Sequence, residues 1–241
     1  MHSTEHLGPR KIIGFLDGSV FITETVLLAL IVAVIMVVLA LLSTRKLERE
    51  PKGVQLIAEL IVDGMYKLTG TMMDKRNAEI YAPFVGTLFL FLIFTNATGL
   101  FGVRPVTADV NTAFALSITT FLVIQGTSIR NRGILGHLKH YGEPYPFMFP
   151  IMVIKDLSLP VSLAFRLFGN ITGGMIIMAF VFKALHAATD GLGISIPFLQ
   201  FLIPLPMNLF FDVFEPILQG FIFTTLTMAF LAMSLTTHEN H

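Results

Sequence analysis

Residues 25–43 read TVLLALIVAVIMVVLALLS, nineteen positions without a charge. As an α-helix this stretch measures about 28 Å, enough to cross a hydrocarbon core of about 30 Å. It stops at Arg45-Lys46. Further along, residues 80–103 and 110–129 are two more uncharged stretches of spanning length, joined by a loop that carries Arg104 and Asp109. The composition agrees with lipid as the solvent. Of 241 residues 54% are hydrophobic and 13% charged, with a mean hydropathy of +0.76, whereas soluble domains are about 25% charged. Sixteen basic and sixteen acidic side chains cancel. A basic nucleic-acid binder and a disordered chain are both excluded on these grounds. With no cysteine, disulfide, thiolate–metal and cysteine-nucleophile chemistries are excluded as well. The first twenty residues carry Glu5, Arg10, Lys11 and Asp17 instead of a basic start and an apolar run, so no cleavable signal is expected.

The two remaining apolar regions differ from the first three. Residues 151–182 contain Lys155, Asp156 and Arg166, and residues 197–237 contain Asn208, Asp212, Glu215 and Gln219. As helices they would be about 45 and 60 Å long, so they must tilt steeply or break, with Pro204, Pro206 and Pro216 as kink sites. Asp190 and the linker Gly191-Leu192-Gly193 make them a hairpin. Between the first two spans, Val54, Ile57, Ala58, Ile61, Val62 and Met65 recur at helical spacing opposite Glu59, Asp63 and Lys67. This is an amphipathic helix, lying on the membrane surface or packed on the protein itself. The chain thus reads as one all-α integral membrane domain over 1–241 with about five membrane helices. Its parts are an external segment 1–24, spans 25–43, 80–103 and 110–129, a surface helix within 51–74, and a long-helix hairpin 151–237. Arg45, Lys46, Arg49 and Lys52 follow the first span, and Arg130, Arg132 and Lys139 follow the third. By the positive-inside rule those loops are cytoplasmic, which puts the N-terminus outside and the C-terminus inside. Tyr66, Tyr81, Tyr141 and Tyr145 fall in or beside the same loops, where interfacial aromatics belong.

Arg166 stands midway along its apolar stretch, where an arginine costs about 2.5–3.5 kcal/mol on insertion scales. Either it pairs with a carboxylate on a neighbouring helix for assembly, or it marks a functional site, the default for a buried membrane charge. Ser162 and Asn170 lie four residues to either side, and Gly169 and Gly173 follow, making a narrow face of small and polar residues. Asn208, Asp212, Glu215 and Gln219 are spaced four, three and four apart and are expected on one face. Carboxylates there must line water or meet a cation, and two together suit uptake and release of H⁺ or Na⁺. Asp156, ten residues before Arg166, either polarises a second aqueous cavity or marks the helix entrance. His137 and His140, without a third ligand, read as part of a solvated basic loop. Walker, Gly-x-Ser-x-Gly and His-Glu-x-x-His patterns are absent, so no nucleotide or hydrolase chemistry is expected of the chain itself.

The segment SLAFRLFGN at residues 162–170 resembles the most specific signature of subunit a of F-type ATP synthases. FTNATGL at 94–100, TADVN at 107–111 and QGFIFT at 219–224 resemble three further segments of that family, in the same order. The likeness runs over almost the whole chain from about Phe21. It implies a curved hairpin of two tilted helices facing a rotating ring of c subunits, each bearing an ion-binding carboxylate. Arg166 matches the arginine that separates two aqueous half-channels. Asn170 and Gln219 match positions beside it, Asp156 an acidic position towards the cytoplasmic channel, and Asp212 a position on the outer channel. Met175 departs from members with a glutamate nine residues after the arginine, and Glu215 is the candidate replacement. The resemblance further implies peripheral-stalk b subunits and the rest of the F1Fo complex as partners, a bacterial cytoplasmic (inner) membrane location, and no catalysis by this chain alone. No cofactor is implied beyond the translocated H⁺ or Na⁺, and no nucleic-acid partner. A stand-alone ion-coupled secondary transporter using Arg166 to bind an anion is the alternative, although no inverted repeat supports it. A membrane-embedded hydrolase is third and lacks a nucleophile–base pair.

Overall fold

The computed structural model describes residues 11–15, 20–45, 48, 50–142, 145–191 and 202–235. Five helices are long and apolar enough to cross a membrane: Glu24–Thr44, Lys75–Phe101, Val110–Leu138, Phe149–Thr189 and Pro204–Leu235. The chain is an all-α multi-pass membrane protein. One element departs from that description. Strands β1 (Lys11–Phe15) and β2 (Val20–Thr23) form a short antiparallel pair ahead of the first helix, a feature the sequence reading did not contain.

Helix α1 (Glu24–Thr44) buries only Thr25 and Val32, so most of its surface is left for lipid. Its tie to the rest is polar: Thr25 Oγ1 donates to Asp109 Oδ2 at 2.8 Å. Asp109 in turn caps α4 (Val110–Tyr141), where its Oδ1 accepts from the Asn111 N–H at 3.1 Å. Such caps satisfy N–H groups that a helix start leaves free. The amphipathic helix expected there is α2 (Val54–Gly70), and it packs partly on the protein itself. Leu68 packs into a cluster of Met73, Val85, Ile124, Met228 and Leu231, while Leu56, Ile57, Leu60 and Val62 stay exposed.

Helix α3 (Lys75–Asn96) passes into a 3₁₀ turn over Ala97–Phe101, closed by Gly102 at φ 70°. A left-handed residue at that point is accessible to glycine at little cost. Helix α4 continues beyond the uncharged stretch through Arg130 and Arg132, with one non-helical residue, Gly133, at φ 72° and ψ 163°. The basic loop expected there is thus a kinked helical continuation. The arginines end the hydrocarbon segment without ending the helix.

The hairpin arms differ from each other. Helix α5 (Phe149–Gly191) has 43 residues and runs through Pro160 unbroken. At about 65 Å it must tilt steeply or protrude from a core of about 30 Å. The second arm is α6 (Pro204–Leu209), a π turn at Phe210–Phe214, and α7 (Glu215–Leu235). Pro204 and Pro206 fall in the first turn of α6 and start the arm rather than kink it, because N–H groups there need no helical acceptor. The irregularity comes at Pro216, which has no N–H to continue the ladder. Most of the Gly191-Leu192-Gly193 linker, with Arg10, Lys46, Arg49, Pro197, His238 and His241, lies outside the described residues.

Helices α3, α4, α5 and α7 meet at Leu88, Leu92, Ala113, Leu163, Ala164, Leu167 and Phe223. Threonines on the buried face of α7 return their hydroxyls to their own helix. Thr224 Oγ1 donates to the Gly220 carbonyl at 2.8 Å and Thr227 Oγ1 to that of Phe223 at 2.8 Å, so no orphan is left in the core at those two positions. Close approach of the two arms depends on Gly174, where a Cβ would lie 2.8 Å from Phe211 Cδ1. At Gly220 the nearest atom, Ile93 Cγ1, would be 3.5 Å away. Gly174→Ala is therefore expected to destabilise the chain by about 1–3 kcal/mol through overpacking, and Gly220→Ala to be tolerated. Thermal unfolding of the detergent-solubilised variants checks this; equal effects at the two glycines would contradict it.

Candidate functional site

The segment at 162–170 is amphipathic with respect to the protein. Leu163, Ala164 and Leu167 are 2%, 0% and 0% exposed and form part of the core. Ser162, Phe165, Gly169 and Asn170 are exposed, and Arg166 is half-buried among them. Phe165 meets Phe114 of α4 edge-on, with ring centroids 5.6 Å apart. Arg166 makes no ion pair with any described carboxylate. Pairing within the chain for assembly is thus not seen among the described residues.

One turn along, Asn170 Nδ2 donates to Gln219 Oε1 at 2.8 Å, joining α5 to α7 beside the arginine. Gln219 is 2% exposed, and its Nε2 is buried without a partner among the described residues. The stripe expected to hold Asn208, Asp212, Glu215 and Gln219 is interrupted by the π turn at Phe210–Phe214. Beyond it Glu215 and Gln219 both meet α5. Asp212 Oδ1 turns to the bend after α3, 3.3 Å from where a Cβ on Gly99 would sit. Glu215 Oε2 turns to α5, 3.4 Å from the corresponding point on Gly174, the neighbour of Met175. Both acids are half-buried, as is Asn208 on α6.

Asp156 is held at the other end of the bundle. Its Oδ2 accepts from Gln125 Nε2 at 3.0 Å and from the Tyr141 hydroxyl at 2.6 Å. Burial, aided by the bond to Asp156, pushes the Tyr141 phenol up to about 12, so the hydroxyl remains a donor at neutral pH. His137 stacks edge-on against Tyr141 at 5.0 Å and its Nδ1 shares a hydrogen bond of 3.0 Å with Ser128 Oγ. The histidine is half-buried in this cluster, not solvated in a loop as its sequence context suggested. Gln125 and Tyr141 escaped the sequence reading. An amide inside an apolar span was the available signal for the first. The second was read only as an interfacial aromatic.

The packing sets the order of these groups. Phe165 faces Phe114 while Asp156 faces Gln125, so α4 and α5 run antiparallel. Asp212 lies against the bend that precedes α4, and Asp156 against the far half of α4. Arg166 comes between them. Both aspartates also lie four residues before a proline, Pro160 or Pro216. A proline has no N–H to donate to the carbonyl four residues earlier, which adds polar backbone at each acid.

The family model for the ATP synthase A chain matches residues 26–232. ATP synthase subunit a of Moorella thermoacetica is 34% identical over 228 residues, covering 94% of this chain and 96% of that one. The Trichlorobacter lovleyi subunit a is 37% identical over 209 residues, with coverage of 85% and 84%. The sodium ion specific subunit a of Propionigenium modestum is 30% identical over 230 residues, with coverage of 89% and 74%.

The Asn170–Gln219 bond separates stability from function. Asn170→Ala leaves the buried Gln219 amide with neither end paired and is expected to cost about 1–3 kcal/mol. Gln219→Leu removes that amide and should hold or raise the unfolding temperature. Thermal melts of the two variants decide; a greater loss in Gln219→Leu than in Asn170→Ala would contradict the assignment.

Proposed function

Because the chain belongs to the ATP synthase A chain family, we propose that it acts as the channel-forming stator of the membrane sector, passing ions to and from a rotating ring of c subunits. The observation that carries this reading is Arg166, half-buried on α5 and paired with no described carboxylate. A guanidinium stays charged even in a low dielectric, so it calls for a counter-charge that the described residues do not supply. A ring carboxylate is the partner of that description. Peripheral-stalk b subunits and the rest of the F1Fo complex would hold the chain still against the ring's rotation.

In this reading an ion enters from outside past Asp212 and Glu215 and neutralises a ring carboxylate, which then turns into lipid. After most of a rotation the carboxylate releases its ion near Asp156. Arg166 faces the ionised carboxylate between those two events, disfavours its re-protonation and blocks leakage from one half-channel to the other. Glu215, beside Gly174, supplies an acid next to the place where Met175 lacks one. Asn170 and Gln219 fix the spacing of the two arms at Arg166, while Ser162 and Asn208 extend the polar lining. The coupling ion is H⁺ or Na⁺, selected by the ligands around the ring carboxylate. Each unit charge gains about 2.3 kcal/mol per 100 mV, so several ions pass for each ATP. The basic residues after the first and third spans support an N-terminus outside and a C-terminus in the cytoplasm, and the membrane proposed is the bacterial cytoplasmic one.

Two measurements on membranes carrying the assembled complex test the reading. Arg166→Ala is expected to reduce coupled ATP synthesis to background; near-normal synthesis would overturn the assignment. The double variant Asp212→Asn with Glu215→Gln is expected to slow ion entry from outside by at least about tenfold, equivalent to about 1.4 kcal/mol on the barrier. Unchanged synthesis driven by an imposed ion gradient would remove both residues from the path.

A further inference from the structure

Gln125 and Tyr141 are sixteen residues apart in the chain, yet both donate to one oxygen, Asp156 Oδ2. On a straight helix they would be separated by about 24 Å along the axis. The break at Gly133, with φ 72° and ψ 163°, redirects the end of α4 so that its last residue reaches the acid. Such a conformation suits glycine and is strained for other residues. The redirected segment is held at a second point, where His137 bonds Ser128 and packs on Tyr141. The Tyr141 ring also meets Phe149 at the start of α5, with centroids 6.0 Å apart.

We propose that Tyr141 and Gln125 are positioning residues for ion release, clamping the Asp156 carboxylate through Oδ2 so that Oδ1 is the oxygen presented to the departing ion. The proposal rests on the reading above that Asp156 lines the cytoplasmic half-channel. Two donors on one oxygen fix the orientation of the carboxylate and stabilise its anion, and bonds to a charged acceptor are the stronger kind. Oδ1 accepts no hydrogen bond from a described residue. Among the described residues, the titratable groups that act on this acid are His137 and Tyr141 on α4, with Arg132 acting on His137; Lys155 precedes it in the sequence of α5. A high phenol pKa keeps Tyr141 a donor throughout the working range, so the clamp holds while its neighbours titrate.

The test uses inverted membrane vesicles carrying the complete complex, in which the cytoplasmic face meets the buffer. Tyr141→Phe keeps the ring packed against His137 and Phe149 and removes only the hydroxyl. The cytoplasmic-side pH giving half-maximal ATP-synthesis rate is expected to rise by about one unit, the size of one lost bond to a charged group. Gln125→Leu should move it in the same direction. An unchanged pH profile in Tyr141→Phe, with normal amounts of assembled complex, overturns the clamp. Asp156→Asn distinguishes the two levels. If it alters the profile while Tyr141→Phe does not, the clamp alone fails. If it changes neither rate nor profile, Asp156 is not on the path and the clamp falls with that assignment.

Discussion

An arginine inside an apolar helix, paired with no described carboxylate, is the constraint around which this fold is arranged. An arginine inside an apolar membrane helix costs several kcal/mol unless a counter-charge meets it. The packing leaves Arg166 beside the core and not within it. Leu163, Ala164 and Leu167 lock the inner side of the same helical turns into the core with Leu88, Leu92, Ala113 and Phe223. Rotation of α5 would bury the charge and expose three apolar side chains, so the packing of four helices fixes the direction of one arginine. The Asn170–Gln219 bond sets the distance to α7 at the same level.

Backbone irregularity is concentrated where the acids are. Pro160 and Pro216 each follow an aspartate by one helical turn, and the π turn before Pro216 directs Asp212 and Glu215 to different neighbours. The kink at Gly133 brings the end of α4 back to Asp156. Irregular backbone inside a membrane survives only where it is buried in protein or lines a polar cavity. Asp156 and Asp212, each half-buried in the protein beside such an irregularity, meet that condition.

Much of this was legible in the residues. Charge-free runs located the spans, the alternation of apolar and charged positions located α2, and Asp109 announced the start of α4. Arg166, Asp156, Asp212, Glu215 and Gln219 stood out because polar groups in an apolar run have no other account. Three features were hidden for physical reasons. The separate neighbours of Asp212 and Glu215 lie at a π turn, which spacing along the sequence does not announce. Arg130 and Arg132 read as a loop after the third span, although charge limits burial in lipid and not helix formation, and α4 runs on to Tyr141. The meeting of Gln125 and Tyr141 depends on one glycine's dihedral angles, which spacing along a helix does not reveal.

The most direct test of the central claim is the identity of the group that meets Arg166 in the assembled complex. The chain has no cysteine, so a single cysteine in place of the exposed Gly169 provides a unique reporter on that face. Paired with a single cysteine beside the ring carboxylate, it is expected to form a disulfide on mild oxidation and to stop rotation until reduced. Absence of that cross-link in fully assembled complexes, with the thiol of Gly169→Cys still reactive to a lipid-soluble reagent, would show that the arginine face looks onto lipid and contradict the assignment.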